Sequence, residues 1–192
     1  MPVEQIEPHT ALVVIDLQKG ITALPTITPS DAIVTQAARL ASAFRERGMP
    51  VVLVRTMYSP DEADMLRPRS DAPAPAITRS ADFADLRPEL AQAPNDLIIT
   101  KHQWDAFFGT ELDLQLRRRQ ITGIVMTGIS TSIGVESTAR QAYSLGYQLT
   151  FATDAMSDLV QTAHDNSLRT IFPRMGQLAT TEAILAALPA KG

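Results

Sequence analysis

Short apolar runs alternate along the chain with segments of helical periodicity. Five runs have the length of a single strand and cover residues 11–15, 51–54, 97–99, 124–126 and 148–151, and a weaker sixth lies near 177–179. The first run is apolar at every position, which is typical of a strand buried on both faces. Strands that alternate with helices favour a parallel sheet covered by helices on both faces. The pattern therefore predicts a three-layer α/β/α fold.

The segment between the first two runs has the spacing of an amphipathic helix. Its apolar residues recur at i, i+3 and i+4, and they are Ile33, Val34, Ala37, Leu40, Ala41 and Phe44. Ser30 precedes them as a favourable N-cap residue, and Gly48 follows them as a natural C-terminal stop. We therefore predict a helix capped by Ser30 that ends before Gly48.

A long irregular segment, residues 58–95, separates the second and third strands. It contains prolines at positions 60, 68, 73, 75, 88 and 94. Long loops in compact domains are usually functional lids or disordered segments, and we predict a lid over the strand ends. Phe83, Leu86 and Leu90 suggest a short helix within it. We find no internal repeat that would indicate a second domain, so residues 1–192 are expected to form a single domain.

The composition narrows the classes of partner and location. Hydrophobic residues make up 45% and charged residues 20% of the chain, as in an ordinary globular protein. A net charge of −4 and a pI near 5.3 disfavour nucleic acid as the partner. No apolar stretch approaches the ~20 residues of a membrane span, and the acidic start of the chain does not resemble a signal peptide. We expect a cytoplasmic protein that acts on a small molecule.

The chain contains no cysteine and only three histidines, His9, His102 and His164. The absence of cysteine excludes disulfides, thiolate metal ligands and catalysis through a cysteine thioester. The histidines are far apart in sequence and form no His-Glu-x-x-His or His-x-His motif, so a histidine metal centre is not expected. We predict an enzyme without a metal or cofactor.

Polar residues follow three of the predicted strands. Asp16 follows the first, Lys101 the third, and a run of small polar residues at 127–132 the fourth. In open α/β sheets, ligands bind outside the carboxyl ends of the strands. These polar residues are therefore the candidates for a ligand-binding site.

Several segments resemble the isochorismatase-like (cysteine hydrolase) superfamily. They are Val-Ile-Asp-Leu-Gln at 14–18, Thr-Lys at 100–101, Phe-Phe-Gly-Thr-Glu-Leu at 107–112, Thr-Gly-Ile-Ser-Thr-Ser-Ile-Gly-Val at 127–135 and Ser-Thr-Ala-Arg-Gln-Ala at 137–142. Each motif is weak alone, but the ordered set covers nearly the whole chain. The resemblance implies a six-stranded parallel sheet and a homo-oligomer, either a dimer or a tetramer.

The resemblance also implies a catalytic Asp, Lys and Cys at the strand ends. Asp16 and Lys101 match the first two, and Gly134 stands at the position of the cysteine. A non-proline cis peptide is expected between Ile129 and Ser130.

Glycine at this position leaves two interpretations of the activity. The amidase branch of the family needs the thiol, which is lacking. The isochorismatase branch also carries glycine and hydrolyses a vinyl ether, with a carboxylic acid as proton donor and water as nucleophile. On this interpretation Asp16 is the general acid, and the expected substrate contacts are Gly134, Ile129, Ser130, Trp104 and Arg67. Arg69 and Arg79 are further candidates for binding a substrate carboxylate.

Two alternatives remain open from the sequence. One is a serine-dependent amidase with Ser130 or Ser132 as nucleophile, for which no partner histidine is evident. The other is a non-catalytic relative that binds a ligand or only forms an oligomer. The protonation of Asp16 is also open, because burial raises a carboxyl pKa whereas a neighbouring Lys101 ammonium lowers it.

Overall fold

All six apolar runs form strands of one parallel sheet. The computed structural model describes residues 3, 5–71 and 79–191. The strands are β1 (Thr10–Ile15), β2 (Val51–Thr56), β3 (Leu97–Lys101), β4 (Gly123–Ile129), β5 (Gln148–Ser157) and β6 (Gly176–Ala179). Their order in the sheet is β3-β2-β1-β4-β5-β6. The direction of winding reverses between β1 and β4, and ligands of open α/β sheets bind at such a switch point.

Helices cover both faces of the sheet. They are α1 (Lys19–Thr22), α2 (Ser30–Arg45), α3 (Leu112–Arg118), α4 (Glu136–Ser144), α5 (Gln161–Asn166) and α6 (Thr181–Ala187). A π-helical turn, Thr131–Val135, leads from β4 directly into α4. Helices α2 and α6 pack on one face and α3 and α4 on the other. The predicted three-layer fold is therefore confirmed.

The side chains of β1 explain why its sequence is apolar throughout. Leu12 and Val14 enter the core beneath α2 and α6, whereas Val13 and Ile15 enter the core beneath α3 and α4. Successive side chains of a strand point to opposite faces, so a central strand covered on both sides has no position left for a polar residue.

Two local predictions are wrong: the N-cap of helix α2 and the short helix around Phe83. Ser30 is the first residue of α2 instead of its N-cap, which is Pro29, and its hydroxyl donates to the carbonyl of Thr22 at 2.6 Å. The short helix expected around Phe83 is only a 3₁₀ turn, Pro88–Leu90. Proline lacks an N–H and cannot continue a helix from the preceding residues.

Strands β2, β3, β4 and β5 each extend at least two residues beyond the C-terminal end of their apolar run. Strands β2 and β3 stay paired as far as Thr56 and Lys101, because backbone hydrogen bonds continue where polar side chains begin. Strand β5 passes a register shift opposite β4 and resumes pairing at Met156.

No helix within the described residues is long and apolar enough to span a membrane. Part of the predicted lid, residues 72–78, lies outside the described part of the chain.

Candidate active site

Asp16 is the first residue after β1, at the switch point of the sheet. Its backbone has a positive φ of 51°, a left-handed conformation that aspartate tolerates better than most residues. Its N–H still donates to Val54 in β2 at 3.0 Å, so the chain turns only after this residue. The turn leaves the carboxyl group at the strand ends with only 8% of the side chain exposed.

Lys101 closes β3 and reaches across the end of β2 to Asp16. Its ammonium Nζ lies 2.8 Å from Asp16 Oδ2 and donates to the carbonyl of Trp104 at 2.7 Å. The Lys101 side chain is only 2% exposed. Thr56, at the end of the intervening strand, donates its hydroxyl to Asp16 Oδ1 at 3.3 Å. The result is a buried ion pair with a neutral donor on its second oxygen.

The electrostatics of Asp16 favour its protonated form more than those of an ordinary aspartate. Burial raises its pKa above the ordinary value of 3.8, whereas the Lys101 ammonium and the Thr56 hydroxyl lower it; burial is the largest of these effects. A raised pKa is what a general acid needs near neutral pH.

Gly134 lies in the π-helical turn after β4 and faces both charged groups. A Cβ atom at this position would lie 3.3 Å from Asp16 Oδ2 and 3.4 Å from Lys101 Nζ. It would also lie 3.0 Å from Ile15 Cγ2. The predicted proximity of the three residues is confirmed. Even a methyl group would be crowded at this position, so glycine is what lets the turn approach the ion pair so closely.

The chain from Ile129 to Ser130 forms the entry into this turn. Ile129 is buried, and the peptide bond to Ser130 is cis, as the resemblance implied. Ser130 adopts an extended conformation and caps the turn. Both residues therefore lie on the segment that carries Gly134 to the site.

Within the described residues, the side chains of Trp104 and Arg67 form no hydrogen bond or ion pair with Asp16 or Lys101. The carbonyl of Trp104 holds Lys101, but its side chain is 66% exposed. Arg67 Nη2 lies 3.0 Å from Glu62 Oε2 in the irregular segment. Their predicted substrate contacts stay predictions.

The second half of the predicted lid is fastened to the segment after Asp16. The fully buried amide of Gln18 donates to the carbonyls of Thr56 at 2.9 Å and Phe83 at 3.1 Å, and its oxygen accepts the N–H of Thr56 at 2.7 Å. Lys19 is paired with Asp82 and Asp85. The Gln18 amide therefore links this half of the segment to the end of β2 and fixes the backbone of Thr56.

The first half of the same segment is held by exposed charges. Glu62 bridges two arginines: Arg67, and Arg79, whose Nη1 lies 2.6 Å from Glu62 Oε1. The Arg79 guanidinium packs 5.3 Å from the ring centre of Tyr58. Burial raises the pKa of Tyr58, and the Arg79 guanidinium lowers it. The Tyr58 ring centre lies 6.3 Å from that of His102, the residue after Lys101, so the ring lies near the site.

Sequence reasoning missed Thr56 and the role of Gln18. Thr56 lies beyond the apolar run of its strand, and only the pairing of Thr56 with Lys101 in the sheet reveals its place. Within the described residues, no three acidic or histidine side chains cluster as metal ligands would.

The comparisons with known proteins agree with this architecture. An isochorismatase domain model matches residues 10–183. YwoC of Bacillus subtilis (strain 168), described as an uncharacterized isochorismatase family protein, is 49% identical over 178 residues, which are 92% of each chain. A solved isochorismatase family protein from Burkholderia thailandensis has a TM-score of 0.92 at 45% identity and covers 96% of this chain and 98% of its own. The ureidoacrylate amidohydrolase RutB of Variovorax paradoxus (strain S110) is 26% identical over 191 residues, 85% of this chain and 76% of RutB. The chain belongs to the isochorismatase family.

Proposed function

We propose that this protein is a hydrolase that cleaves the vinyl ether of a small carboxylated metabolite, with Asp16 as general acid. The observation that carries the proposal is the buried pair of Asp16 and Lys101 with Gly134, a residue that has no nucleophile, directly against it. A thiol nucleophile is absent from the whole chain, whereas a carboxylic acid with a raised pKa is at hand.

The reaction begins with a proton transfer. The Asp16 carboxyl gives its proton to the terminal carbon of the enol ether, and the ether oxygen donates electrons to form an oxocarbenium ion. Water adds to the cationic carbon and yields a hemiketal after loss of a proton, which can return to Asp16. Collapse of the hemiketal breaks the carbon–oxygen bond to the departing alcohol and leaves a keto acid. The net change is the addition of one water molecule, and no oxidant or metal takes part in these steps.

Lys101 has two roles in this scheme. Its ammonium remains beside Asp16 throughout, so it stabilises the carboxylate that forms when the proton leaves. Its positive charge is also the group to which we assign the carboxylate of the enol-pyruvyl substrate. The contact with Asp16 strengthens as that carboxyl group becomes negatively charged.

Arg79 is the arginine best placed to bind a further substrate carboxylate. It packs over Tyr58, next to the site, and its partner Glu62 is itself a carboxylate bound between Arg79 and Arg67. Guanidinium groups bind carboxylates through paired N–H donors. We propose that the substrate carboxylate takes the place of Glu62 on these arginines.

Amide hydrolysis is the second candidate, because RutB is described as an amidohydrolase. A serine nucleophile would need a base. The His164 ring bonds through Nδ1 to Thr131 Oγ1 at 2.9 Å, and among the described residues no histidine is hydrogen-bonded to the Ser130 or Ser132 hydroxyl. The ether reaction needs no such base.

A panel of enol-pyruvyl ethers and small amides tests the proposal. Wild-type protein should hydrolyse at least one ether, and Asp16→Asn should lower kcat by about 10²–10⁴-fold, the usual value of general acid–base catalysis, while melting stays cooperative. Turnover that survives Asp16→Asn within a few-fold would remove Asp16 from the mechanism. Hydrolysis of amides alone would favour the second candidate. If no compound is turned over by any form, a ligand-binding protein becomes the better interpretation.

A further inference from the structure

A second buried polar cluster lies behind the turn that carries Gly134. Thr131 is fully buried in that turn, and its hydroxyl donates to the carbonyl of Ser157 at the end of β5 at 3.0 Å. His164 of α5 places its Nδ1 2.9 Å from the same hydroxyl oxygen. These residues do not touch the ion pair, and the proposed reaction assigns them no step.

The hydrogen bonds of Thr131 decide which nitrogen of His164 carries the proton. A threonine hydroxyl has a single proton, and here it is directed to the Ser157 carbonyl. The bond with His164 therefore requires Nδ1–H as donor and Thr131 Oγ1 as acceptor. Burial lowers the pKa of His164, although the negative charges of Asp158 and Asp165 raise it, so the neutral ring is favoured. The neutral Nδ1–H form is the one that completes this chain of hydrogen bonds.

Asp158 fixes the next residue of the same turn. Its Oδ2 accepts the N–H of Ser132 at 2.7 Å, and its Oδ1 accepts the N–H groups of Leu159 at 2.7 Å and Val160 at 3.2 Å. Thr131 and Ser132 are thus both held from the side of β5 and α5. Gly134, two residues further on, faces Asp16 and Lys101 from the opposite side of the turn.

We propose that His164 is a positioning residue for the hydrolysis, acting through the Thr131 hydroxyl to hold the 130–134 turn against the ion pair. The inference rests on the proposed function, because it assigns His164 a part in that reaction. This attachment holds Gly134 at a constant distance from the Asp16 acid. Misplacement of a reacting group by about 1 Å can cost on the order of 10²-fold in rate.

Two substitutions at His164 separate positioning from simple packing. In His164→Asn the amide nitrogen occupies about the place of Nδ1, so the donor to Thr131 is kept. In His164→Gln the nitrogen is one bond further, near the place of Nε2, although glutamine is closer to histidine in volume. Positioning therefore ranks Asn above Gln, whereas packing ranks Gln above Asn. We expect kcat of His164→Asn within about 3-fold of wild type and kcat of His164→Gln lower by about 10–100-fold, with KM little changed.

A matched pair at Thr131 tests the other end of the contact. Thr131→Ser keeps the hydroxyl and should keep kcat, whereas the isosteric Thr131→Val should lose about as much as His164→Gln. The proposal is overturned if Thr131→Val or His164→Gln turns over substrate like the wild type, or if His164→Asn is the worse of the two histidine variants.

A readout without substrate distinguishes this inference from the proposed function. The ¹⁵N resonances of the His164 ring should show a protonated Nδ1 and an unprotonated Nε2. The amide resonance of Gly134 should move in His164→Gln and Thr131→Val but not in His164→Asn. If the wild type hydrolyses nothing, the proposed function fails while these spectra still decide the contact. A Gly134 amide that is unmoved in all four variants, or a ring protonated at Nε2 alone, overturns the positioning role.

Discussion

The molecule holds two carboxylate–cation contacts of similar length in opposite environments. Asp16 and Lys101 lie 2.8 Å apart with 8% and 2% of their side chains exposed. Glu62 and Arg67 lie 3.0 Å apart with 33% and 63% exposed. The first joins two strand ends of the sheet, and the second lies within the irregular segment between β2 and β3. The distances alone would not distinguish the two ion pairs.

Burial makes them chemically different. Around the buried pair, loss of water raises the pKa of Asp16 despite the adjacent ammonium, so the carboxyl can serve as an acid. Around Glu62, water screens the charges, and exposed ion pairs contribute only about 0–1 kcal/mol to stability. A contact of that kind can be exchanged for one with a substrate. This contrast is why we propose the buried pair for the chemistry and the exposed pair for recognition.

The largest expected effect is on stability, and it comes from breaking the buried pair. Lys101→Met keeps the length of the side chain but leaves Asp16 without its partner, which should lower the free energy of unfolding by about 3–5 kcal/mol. Denaturant unfolding measures it. Adding Asp16→Asn should recover part of the loss, since it removes the unpaired charge. Arg67→Met is the matched control and should unfold at nearly the wild-type denaturant concentration; equal losses in both variants would contradict the contrast.

The next effect concerns the close approach of Gly134 to the buried pair. Gly134→Ala places a methyl group 3.3 Å from Asp16 Oδ2 and 3.0 Å from Ile15 Cγ2, so the turn must shift to admit it. We expect kcat/KM for the ether to fall by about 10-fold or more through misplacement of the turn, with a small fall in Tm from the crowding. Ser132→Ala, in the same turn, is the control and should be nearly silent. A large loss in Ser132→Ala would instead revive the serine mechanism.

Recognition by the exposed cluster should appear in KM. Arg79→Ala should raise KM by about 10-fold because a charge-assisted contact to the substrate carboxylate is lost. Glu62→Gln should lower KM by a few-fold, since the competing carboxylate is gone, and the gain should shrink at high salt. Arg69→Ala in the same segment is the comparison for general charge effects. If Glu62→Gln raises KM, the substrate does not replace Glu62.

The smallest effect is a dependence on pH. Because the pKa of Asp16 is raised in the folded state, folding binds a proton at this group, and the resulting stability is full below the ordinary pKa of 3.8. It is lost as the pH rises through the raised value, and the acid form needed for catalysis is lost in the same range. The unfolding free energy of Asp16→Asn should therefore rise relative to wild type as the pH increases. The opposite slope would mean that Asp16 and Lys101 form a fully ionised pair with a lowered Asp16 pKa.

The layers of the fold followed directly from the apolar runs, as the two cores on either side of β1 illustrate. The two local errors lie where hydrogen bonds to other segments of the chain took over. The hydroxyl of Ser30 bonds to Thr22 instead of capping its helix. The expected helix around Phe83 is replaced by pairing with the segment after Asp16, in which Gly20 donates to the Phe83 carbonyl at 3.0 Å. Local propensity could not anticipate either contact.

For the site, the sequence by itself determined which residues are present and on which strand ends they stand. Asp16, Lys101 and Gly134 follow from motifs and from the rule that parallel strands end at one edge of the sheet. The absence of any cysteine excluded thiol chemistry in advance.

Only the tertiary structure decided the state and the neighbours of these residues. The balance between burial and the Lys101 charge at Asp16 depends on how completely water is removed, which is a property of the packed surroundings. The Thr56 hydroxyl, the Gln18 amide and the His164 ring reach their partners across 40, 38 and 33 positions of sequence. Contacts of that kind are set by strand order and by the crossing of distant segments, because no local pattern of residues records which segments will meet.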